Sequence, residues 1–371
     1  MKKTIFLAAA VAITLAGQSA KSQPSGFLPK HLAVLRAGDC VLDLKLKQSP
    51  AFIDQFAPGS LNAGPSFTVS IPTNGPDTLF FNGHAATEGI LTRSADHRLL
   101  TVAGYGGISL LATNGTPSLL DIARVFCTVD ASGKVHTMTY RKTAGVEKMN
   151  PRGVVTDGTN NFWGCGNALG TVYYQAGSSA EPVAFANVPN SRAVKIVANA
   201  LYVTLNGPDG AASDLPAGIF SFTDDGGQPV PLPRTEDAKL KVVAAAKDPY
   251  TKLAGFDINA DGTIAYTADT VAGIQKYVKT DGAWKFAYNF SIPQNIPAEL
   301  NRGTGCFGLA VDFTGAAPII YATTTEGYDG SVNSNRVVQI VDTNATAKVL
   351  TLAQSPSTKI AYRGIDFTPE P

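Results

Sequence analysis

One short sequence motif recurs along this chain and restricts the folds that the chain can adopt. The motif is a residue pair ending in Gly or Ala, then an apolar strand, a polar turn and a second strand rich in Tyr, Val and Thr. One or two further strands follow each copy, with turn residues between them. Repetition of one strand-rich unit predicts an all-β array of similar sheets. The five copies begin at Glu88, Arg152, Arg192, Ala254 and Phe307.

The last segment of the sequence, YRGIDFTP, is a sixth first strand that lacks the strands expected after it. Near the start, HLAVLRAGD, AFIDQFA and SFTVSIP are three strands that lack a first strand. Both deficits disappear if the two ends pair in one sheet, which also removes exposed sheet edges. The sequence therefore predicts a six-bladed β-propeller, closed by pairing the C-terminal strand with the N-terminal strands. Seven blades is the alternative, because residues 88–149 and 192–253 are long enough to contain extra strands.

The first 22 residues have the organisation of a secretory signal peptide. A basic MKK precedes an apolar stretch of about fourteen residues, and Ala20-Lys21-Ser22 fits the small-x-small cleavage rule. The stretch is shorter than the roughly 20 residues that a membrane-spanning helix needs. We therefore predict a signal peptide over residues 1–22 and a single β-propeller domain over residues 23–371. The expected location is extracytoplasmic, either periplasmic or secreted, with no integral membrane segment.

The charge balance argues against a nucleic-acid partner. Loss of Lys2, Lys3 and Lys21 with the signal peptide lowers the 30 basic residues to 27, against 29 acidic residues. Nucleic-acid binding calls for clustered Lys and Arg on a basic surface, and this balance provides none.

Four cysteines remain after residue 22, and an even number in an exported chain favours disulfides. In the predicted ring, Cys40 and Cys306 fall on the same face of neighbouring blades, and Cys127 and Cys165 lie in the next two consecutive blades. We therefore predict the pairs Cys40–Cys306 and Cys127–Cys165.

Several stretches of the sequence are similar to those of a known group of proteins. They are TEGILTRSADHRLLTVAGYGG, GIQKY, IIYATTTEG, NRVVQIVDT and the final RGIDFTP. In these stretches the chain resembles a group of secreted bacterial β-propeller proteins, most of which are uncharacterised. The resemblance covers nearly the whole chain after the signal peptide. Because its motifs are structural, it implies export and the fold, and no activity.

The residues that open the first strands form a second pattern. In a propeller these positions surround one mouth of the central channel. Arg suits bidentate binding of carboxylate or phosphate, and a concave mouth of low dielectric strengthens such contacts. We predict a ligand-binding channel mouth, with a surplus of positive charge that binds an anion, formed by Glu88, Arg152, Arg192, Arg363 and Asp269. The competing interpretation is an internal network in which Glu88 pairs with an Arg and the guanidiniums bind loop carbonyls.

The sequence contains no GxSxG or HExxH motif. The segment DINADG, residues 257–262, resembles the start of a calcium loop, but Ala268 stands at the twelfth position, where a bidentate acid belongs. We therefore expect no cofactor, with Ca²⁺ as the alternative.

These observations favour a binding or interaction module over an enzyme. The expected partner is a protein, a polysaccharide or a small anionic ligand. The alternative is a metal-dependent hydrolase of lactonase or phosphoesterase type, with a divalent metal in the channel. Its candidate oxygen ligands are Glu88, Asn167, Asn206 and Asp269.

Overall fold

A computed structural model of the chain describes residues 24–44, 48–106, 122–141, 150–167, 170–185, 188, 190–207, 215–293, 305–327 and 334–371. Every regular element in these ranges is a β-strand, as the strand-rich repeat predicts. None of the described residues belongs to a helix that is long and apolar enough to cross a membrane. The predicted signal peptide, residues 1–22, lies outside the described ranges.

The strands are short and are separated by turns, as the frequent Gly and Pro require. In chain order they are β1 (Leu32–Ala37), β2 (Ser49–Phe56), β3 (Phe67–Ser70), β4 (Leu79–Phe81), β5 (Leu91–Arg93), β6 (Leu99–Gly106), β7 (Ala123–Asp130), β8 (Val135–Arg141), β9 (Pro151–Thr156), β10 (Asn161–Gly166), β11 (Thr171–Gln175), β12 (Val183–Ala184), β13 (Ser191–Val197), β14 (Ala200–Leu205), β15 (Gly218–Thr223), β16 (Lys239–Ala245), β17 (Leu253–Ile258), β18 (Ile264–Asp269), β19 (Gly273–Thr280), β20 (Ala283–Phe290), β21 (Cys306–Asp312), β22 (Ile319–Thr324), β23 (Arg336–Val341), β24 (Val349–Gln354) and β25 (Ala361–Phe367).

These strands form antiparallel sheets in a β-propeller arrangement. Four sheets have four strands each, which follow one another along the chain: β9–β12, β13–β16, β17–β20 and β21–β24. The other nine strands form one larger sheet with the order β25-β1-β2-β4-β6-β7-β8, in which β3 pairs with β2 and β5 pairs with β6.

The two ends of the described chain meet in that larger sheet. β25 pairs antiparallel with β1, and Ile365 is the direct partner of Val34. The prediction that the last strand completes a sheet with three strands from the start of the chain is therefore confirmed.

The first strands of the repeated units surround the propeller axis. β5, β9, β13, β17, β21 and β25 contact one another in that cyclic order, and β25 contacts β5 to complete the circle. Neighbouring backbones approach so closely that a side chain would not fit. A Cβ on Gly364 would lie 2.1 Å from the Leu91 nitrogen, and one on Gly308 would lie 2.4 Å from the Arg363 carbonyl oxygen. This close approach explains the Gly that ends most of the repeated residue pairs; the pair at the start of β13 ends in Ala193.

A β-bulge accompanies most of these residue pairs. The pairing register shifts at the residue pair in five of the six first strands. The shifts lie near Arg152 in β9, near Arg192 in β13, between Leu253 and Phe256 in β17, between Cys306 and Leu309 in β21, and in β25 opposite Val34 and Arg36 of β1. A bulge changes the direction of the side chains next to it. Side chains on either side of the residue pair therefore do not keep a simple in-and-out alternation.

The structure contains neither predicted disulfide; all four cysteines are free thiols. Phe126 and Phe162 stack with ring centroids 5.9 Å apart between the β7 and β10 sheets. Cys127 is the next residue after Phe126, so its side chain lies on the opposite face of its sheet. It packs in a different apolar cluster from Cys165, which faces the β13–β16 sheet.

The pair Cys40 and Cys306 is separated in a similar way. Cys306 is buried in the apolar cluster between the β17–β20 and β21–β24 sheets. Cys40 follows β1 and is exposed, in a cavity that Gln354 and Tyr362 also line. The two thiols therefore lie on different sides of the β21–β24 sheet, although both are at the same end of their strands.

Candidate functional site

A cavity of about 410 Å³ opens at the end of the axis where the first strands begin. We call it the mouth cavity. Three of its lining residues, Arg192, Ala254 and Phe307, open first strands in the repeat. The remaining lining residues are Ala86, Thr87, Asn206, Gly207, Tyr250, Lys252, Leu253 and Thr270.

The charged side chains that line the mouth cavity are both cationic. Arg192 is half-buried on β13, and Lys252 is exposed just before β17. None of the described lining residues is acidic. The carboxylate of nearby Asp269 accepts hydrogen bonds from the backbone N–H groups of Val271 and Ala272 and from Gln275. The cavity therefore presents positive charge to a bound molecule.

Two neutral residues add further binding features. The Asn206 side-chain oxygen is buried and has no hydrogen-bond partner among the described residues. It can therefore accept a hydrogen bond from a hydroxyl or N–H group of a ligand. Tyr250 is 70% exposed and offers an aromatic face at the rim.

Arg152 and Arg363 are turned toward neighbouring strands. Arg152 is buried and donates to the Asn190 side chain at 2.7 Å and to the Ser191 carbonyl at 2.8 Å, at the start of β13. Arg363 is buried and donates to the Gly83 carbonyl at 2.9 Å. Because the bulge redirects these side chains, they hold the loops that lead into the next first strand.

Glu88 is buried close to Arg363 rather than lining the mouth cavity. Its carboxylate accepts hydrogen bonds from the Tyr105 hydroxyl at 2.7 Å and from the Asn82 backbone N–H at 3.0 Å. Burial raises the pKa of Glu88 from 4.5 to about 7, although the Tyr105 hydrogen bond and the charges of Arg363 and Arg124 oppose that rise. Of the five predicted site residues, the structure thus brings Glu88 and Arg363 together and places Arg192 in the cavity.

The raised pKa of Glu88 predicts a pH-dependent contribution to stability. Between about pH 4.5 and 7 the folded protein binds more protons at this site than the unfolded chain, so the free energy of unfolding falls as the pH rises. The shift corresponds to about 3 kcal/mol. We expect Glu88→Gln to be stabilised relative to the wild type by about 2–3 kcal/mol more at pH 8 than at pH 5. Urea unfolding at both pH values measures this difference.

Glutamine has one acceptor oxygen where glutamate has two, so one of the hydrogen bonds from Asn82 N–H and Tyr105 is changed, but that change is the same at every pH. A pH-independent difference between the two proteins would contradict the assignment.

Three residues further along the first strands, a buried charge cluster crosses the axis. The Lys195 ammonium lies 2.9 Å from an Asp257 carboxylate oxygen and 3.4 Å from an Asp366 oxygen. Lys195 is on β13 and Asp366 is on β25, and these strands lie opposite each other in the cyclic order. We call this group the axial cluster. The channel is narrow beside it, with a cavity of about 10 Å³.

The axial cluster also binds the backbone of adjacent strands. Asp257 accepts a hydrogen bond from the Val311 N–H of β21 at 3.0 Å, and Asp366 accepts one from the Arg93 N–H of β5 at 3.0 Å. Burial disfavours the Lys195 ammonium, but the charges of Asp257 and Asp366 outweigh burial and raise its pKa. Burial raises the pKa of Asp257, opposed by Lys195 and reinforced by Asp366. The cluster joins five of the strands around the axis.

Sequence reasoning missed the axial cluster, although the sequence carried a signal for it. Arg192, Ala254 and Arg363 occupy equivalent positions in the repeat. The residues three positions after them are Lys195, Asp257 and Asp366. One base and two acids at equivalent positions of three strands indicate a shared buried site.

Of the four side chains predicted as metal ligands, Asn206 lines the mouth cavity and the other three, Glu88, Asn167 and Asp269, bind other groups of the protein. Asn167 accepts a hydrogen bond from the Asn150 N–H at 2.5 Å, and Asp269 caps the turn that follows β18. The DINADG segment covers the end of β17 and the hairpin turn to β18, in which Asn259 accepts from the Thr263 N–H. The described residues contain no group of three or more His, Cys, Asp and Glu side chains arranged to hold a metal ion.

No family model matches the chain, and no curated protein sequence matches it. Solved structures do match it. TolB from Acinetobacter baumannii is 9% identical with a TM-score of 0.51, and the match covers 92% of this chain and 67% of that chain. A nidogen–laminin complex contains a chain that is 10% identical with a TM-score of 0.53, covering 91% of this chain and 98% of that chain.

A protein from Bacteroides uniformis, provisionally named a 6-phosphogluconolactonase, is 13% identical with a TM-score of 0.45, covering 88% of this chain and 83% of that chain. At such low identity, the matches with TolB and nidogen–laminin show the fold alone, and that fold is the β-propeller. The resemblance to a group of secreted bacterial propellers stays a prediction.

Proposed function

We propose that this protein is an extracytoplasmic binding module, built as a single six-bladed β-propeller domain, whose mouth cavity binds a small acidic ligand that also carries hydroxyl groups. The observation that carries the proposal is the cavity lining, in which the charged side chains are two cations and the buried Asn206 oxygen is a hydrogen-bond acceptor without a partner among the described residues. An acidic sugar such as a uronate combines the matching groups.

The count of six blades rests on how β4 connects the nine-stranded sheet. β4 pairs with β2 through Ser49 and Pro50, and with β6 at Gly106 and Tyr105. Such a short strand acts as a bridge, and without it the nine-stranded sheet divides into β25-β1-β2-β3 and β5-β6-β7-β8. These two groups and the four separate sheets make six groups of four strands. The cyclic order of six first strands supports the same count.

The chemistry of the lining supports an acidic, hydroxylated ligand over other small molecules. Arg192 and Lys252 attract a carboxylate or phosphate, because charge-assisted hydrogen bonds are stronger than neutral ones. The Asn206 oxygen needs a donor, which a sugar hydroxyl supplies. The exposed ring of Tyr250 offers an apolar face to the C–H side of a sugar ring. The axial cluster narrows the channel beyond the cavity, so the ligand enters and leaves at the mouth.

The location outside the cytoplasm rests on the sequence. A basic start, an apolar stretch and a small-x-small cleavage pattern are the three parts of a secretory signal peptide.

The proposal predicts that Lys252→Ala weakens binding of glucuronate about tenfold, because one charge-assisted hydrogen bond contributes about 1.5–3 kcal/mol. Isothermal titration calorimetry of the full-length mature protein measures the dissociation constant. Lys252 is exposed, so its replacement leaves the fold intact. Lys285→Ala is the matched control, since Lys285 is exposed on β20 and does not line the cavity.

Glucose and glucose 6-phosphate complete the test. Glucose lacks the charge and is expected to bind more weakly than glucuronate, and glucose 6-phosphate tests phosphate against carboxylate. Equal binding of glucuronate to the wild type and Lys252→Ala, or no binding of any of the three, would contradict the proposal.

A further inference from the structure

The mouth cavity is larger than a single sugar ring. Its volume of about 410 Å³ lies in the range of roughly 300–1,000 Å³ that encloses whole drug-sized ligands, and one uronate is smaller than such a ligand. The cavity also reaches across the axis, because its lining includes Thr87, shortly before β5, and Lys252, directly before β17. β5 and β17 are opposite each other in the cyclic order of first strands. The site therefore has room for a second group beside the acidic sugar.

The two sides of the mouth cavity differ in charge. The side next to the β13–β16 and β17–β20 sheets holds Arg192, Asn206 and Lys252, which we call the acid subsite. The side next to β5 and β21 holds Thr87 and Phe307, which we call the neutral subsite. A carboxylate meets cations in the acid subsite and none in the neutral subsite. A ligand with its charge at one end is therefore bound in one orientation.

The neutral subsite lacks charge because Glu88 and Arg363 point into the protein. Both side chains are buried, and neither lines the cavity. The Glu88 carboxylate accepts a hydrogen bond from the Asn82 N–H at 3.0 Å, and Arg363 donates to the Gly83 carbonyl at 2.9 Å. These contacts hold the loop that leads to Thr87 in place before any ligand arrives.

Thr87 gives the neutral subsite a polar group. Its side chain is half-buried, and its hydroxyl can donate or accept a hydrogen bond. Phe307 adds an apolar surface on the same side of the cavity. A neutral sugar ring combines hydroxyl groups with an apolar C–H face and so matches this pair of residues. Because the loop before Thr87 is fixed, little conformational entropy is lost when this hydroxyl binds a sugar.

We propose that the mouth cavity binds an acidic disaccharide, with a uronate in the acid subsite and a neutral hexose in the neutral subsite. This inference rests on the proposed function, since it adds a second ring to the acidic, hydroxylated ligand. Thr87 hydrogen-bonds to the hexose and distinguishes the disaccharide from a single uronate. The acid subsite sets the direction in which the disaccharide enters.

The test is isothermal titration calorimetry of the full-length mature protein with glucuronate and with a disaccharide of glucuronate joined to glucose. The wild type is expected to bind the disaccharide about tenfold more tightly than glucuronate, because the second ring adds contacts inside the cavity. Thr87→Val keeps the branched shape of the side chain and removes the hydroxyl. It is expected to weaken disaccharide binding about threefold to tenfold, as for one neutral hydrogen bond, and to leave glucuronate binding unchanged.

Three further variants complete the comparison. Thr87→Ser keeps the hydroxyl and is expected to bind the disaccharide as the wild type does. Thr139→Val is the matched control, since Thr139 is exposed on β8 and does not line the cavity. Lys252→Ala is expected to weaken the binding of both sugars, because it alters the acid subsite that they share.

Equal affinity of the wild type for glucuronate and the disaccharide would overturn the inference. An equal loss of affinity for both sugars in Thr87→Val, or no loss for either, would overturn it too. The proposed function survives each of these results, because glucuronate still binds and still depends on Lys252. Failure of glucuronate to bind, or binding that Lys252→Ala leaves unchanged, would instead contradict the proposed function.

Discussion

Replacement of Lys195 by Met is expected to lower the free energy of unfolding by about 3–5 kcal/mol, because it leaves two buried carboxylates without their cation. Asp257 and Asp366 are 9% and 3% exposed, so water cannot replace the ammonium fully. The loss would affect strands on opposite sides of the axis at once, since the three side chains belong to β13, β17 and β25. Urea unfolding at pH 7 measures the effect.

Two further variants separate this charge effect from simple loss of packing. Adding Asp257→Asn and Asp366→Asn to Lys195→Met is expected to recover most of the stability, because asparagine oxygens can still accept from the Val311 and Arg93 N–H groups. Lys239→Met is the matched control. Its ion pair with Asp225 is exposed, with N and O 3.5 Å apart, so its loss is expected to change stability by less than about 1 kcal/mol.

The pH dependence gives the same test an independent readout. Burial raises the pKa of Asp257, so acid protonates this carboxylate and removes part of the unpaired charge. The deficit of Lys195→Met is therefore expected to shrink as the pH falls from 7 to 4. A deficit that stays constant over this range, or that is no larger than that of Lys239→Met, would contradict the role of the axial cluster.

The ring closure could be predicted from the sequence because it depends on pattern alone. A first strand at Arg363 without successors, and three strands near the start without a first strand, have one simple solution in antiparallel sheets. The repeated Gly or Ala marks the same contact in each unit, where neighbouring backbones meet. Patterns of this kind specify which strands pair, since side-chain alternation and turn residues repeat in every unit.

The direction of individual side chains could not be predicted in the same way. Arg152, Arg192 and Arg363 occupy equivalent positions in the repeat, yet Arg192 lines the mouth cavity and the other two bind neighbouring loops. The bulges at these positions reverse the alternation that sequence reasoning relies on. The cysteine pairs were harder still to predict from the sequence. Adjacent residues of a strand, such as Phe126 and Cys127, point to opposite faces of the sheet, so an error of one residue changes which side chains can meet.

The structure also separates the parts of the molecule that stabilise it from the part proposed to bind a ligand. Glu88, Arg152 and Arg363 form buried contacts between strands, and the axial cluster links strands across the axis. The mouth cavity uses residues at the ends of strands and in loops, such as Lys252 and Tyr250, which can change without loss of the core. Ligand specificity can therefore differ among propellers that share this ring.

A disulfide across the pairing of β1 with β25 tests ring closure most directly. Ala37 and Ala361 are direct partners in the two strands, and both are fully buried. Directly paired residues of antiparallel strands lie within the distance that a disulfide spans. The pair Ala37→Cys and Ala361→Cys, in a Cys40→Ser background, would link positions separated by roughly 320 residues. Closing so long a loop restricts the unfolded chain and is expected to stabilise the protein by about 5 kcal/mol if the geometry is unstrained.

The measurement is the extent of cross-linking after mild oxidation, read from peptides joined through the new disulfide, together with urea unfolding before and after reduction. The control combines Ala37→Cys with Ala268→Cys, a buried position in the β17–β20 sheet, and is expected to form no cross-link. A closed ring predicts near-complete oxidation of the first pair and a reversible loss of stability on reduction. Free thiols at Ala37→Cys and Ala361→Cys in the folded protein, with no more cross-linking than in the control, would show that the two ends do not meet.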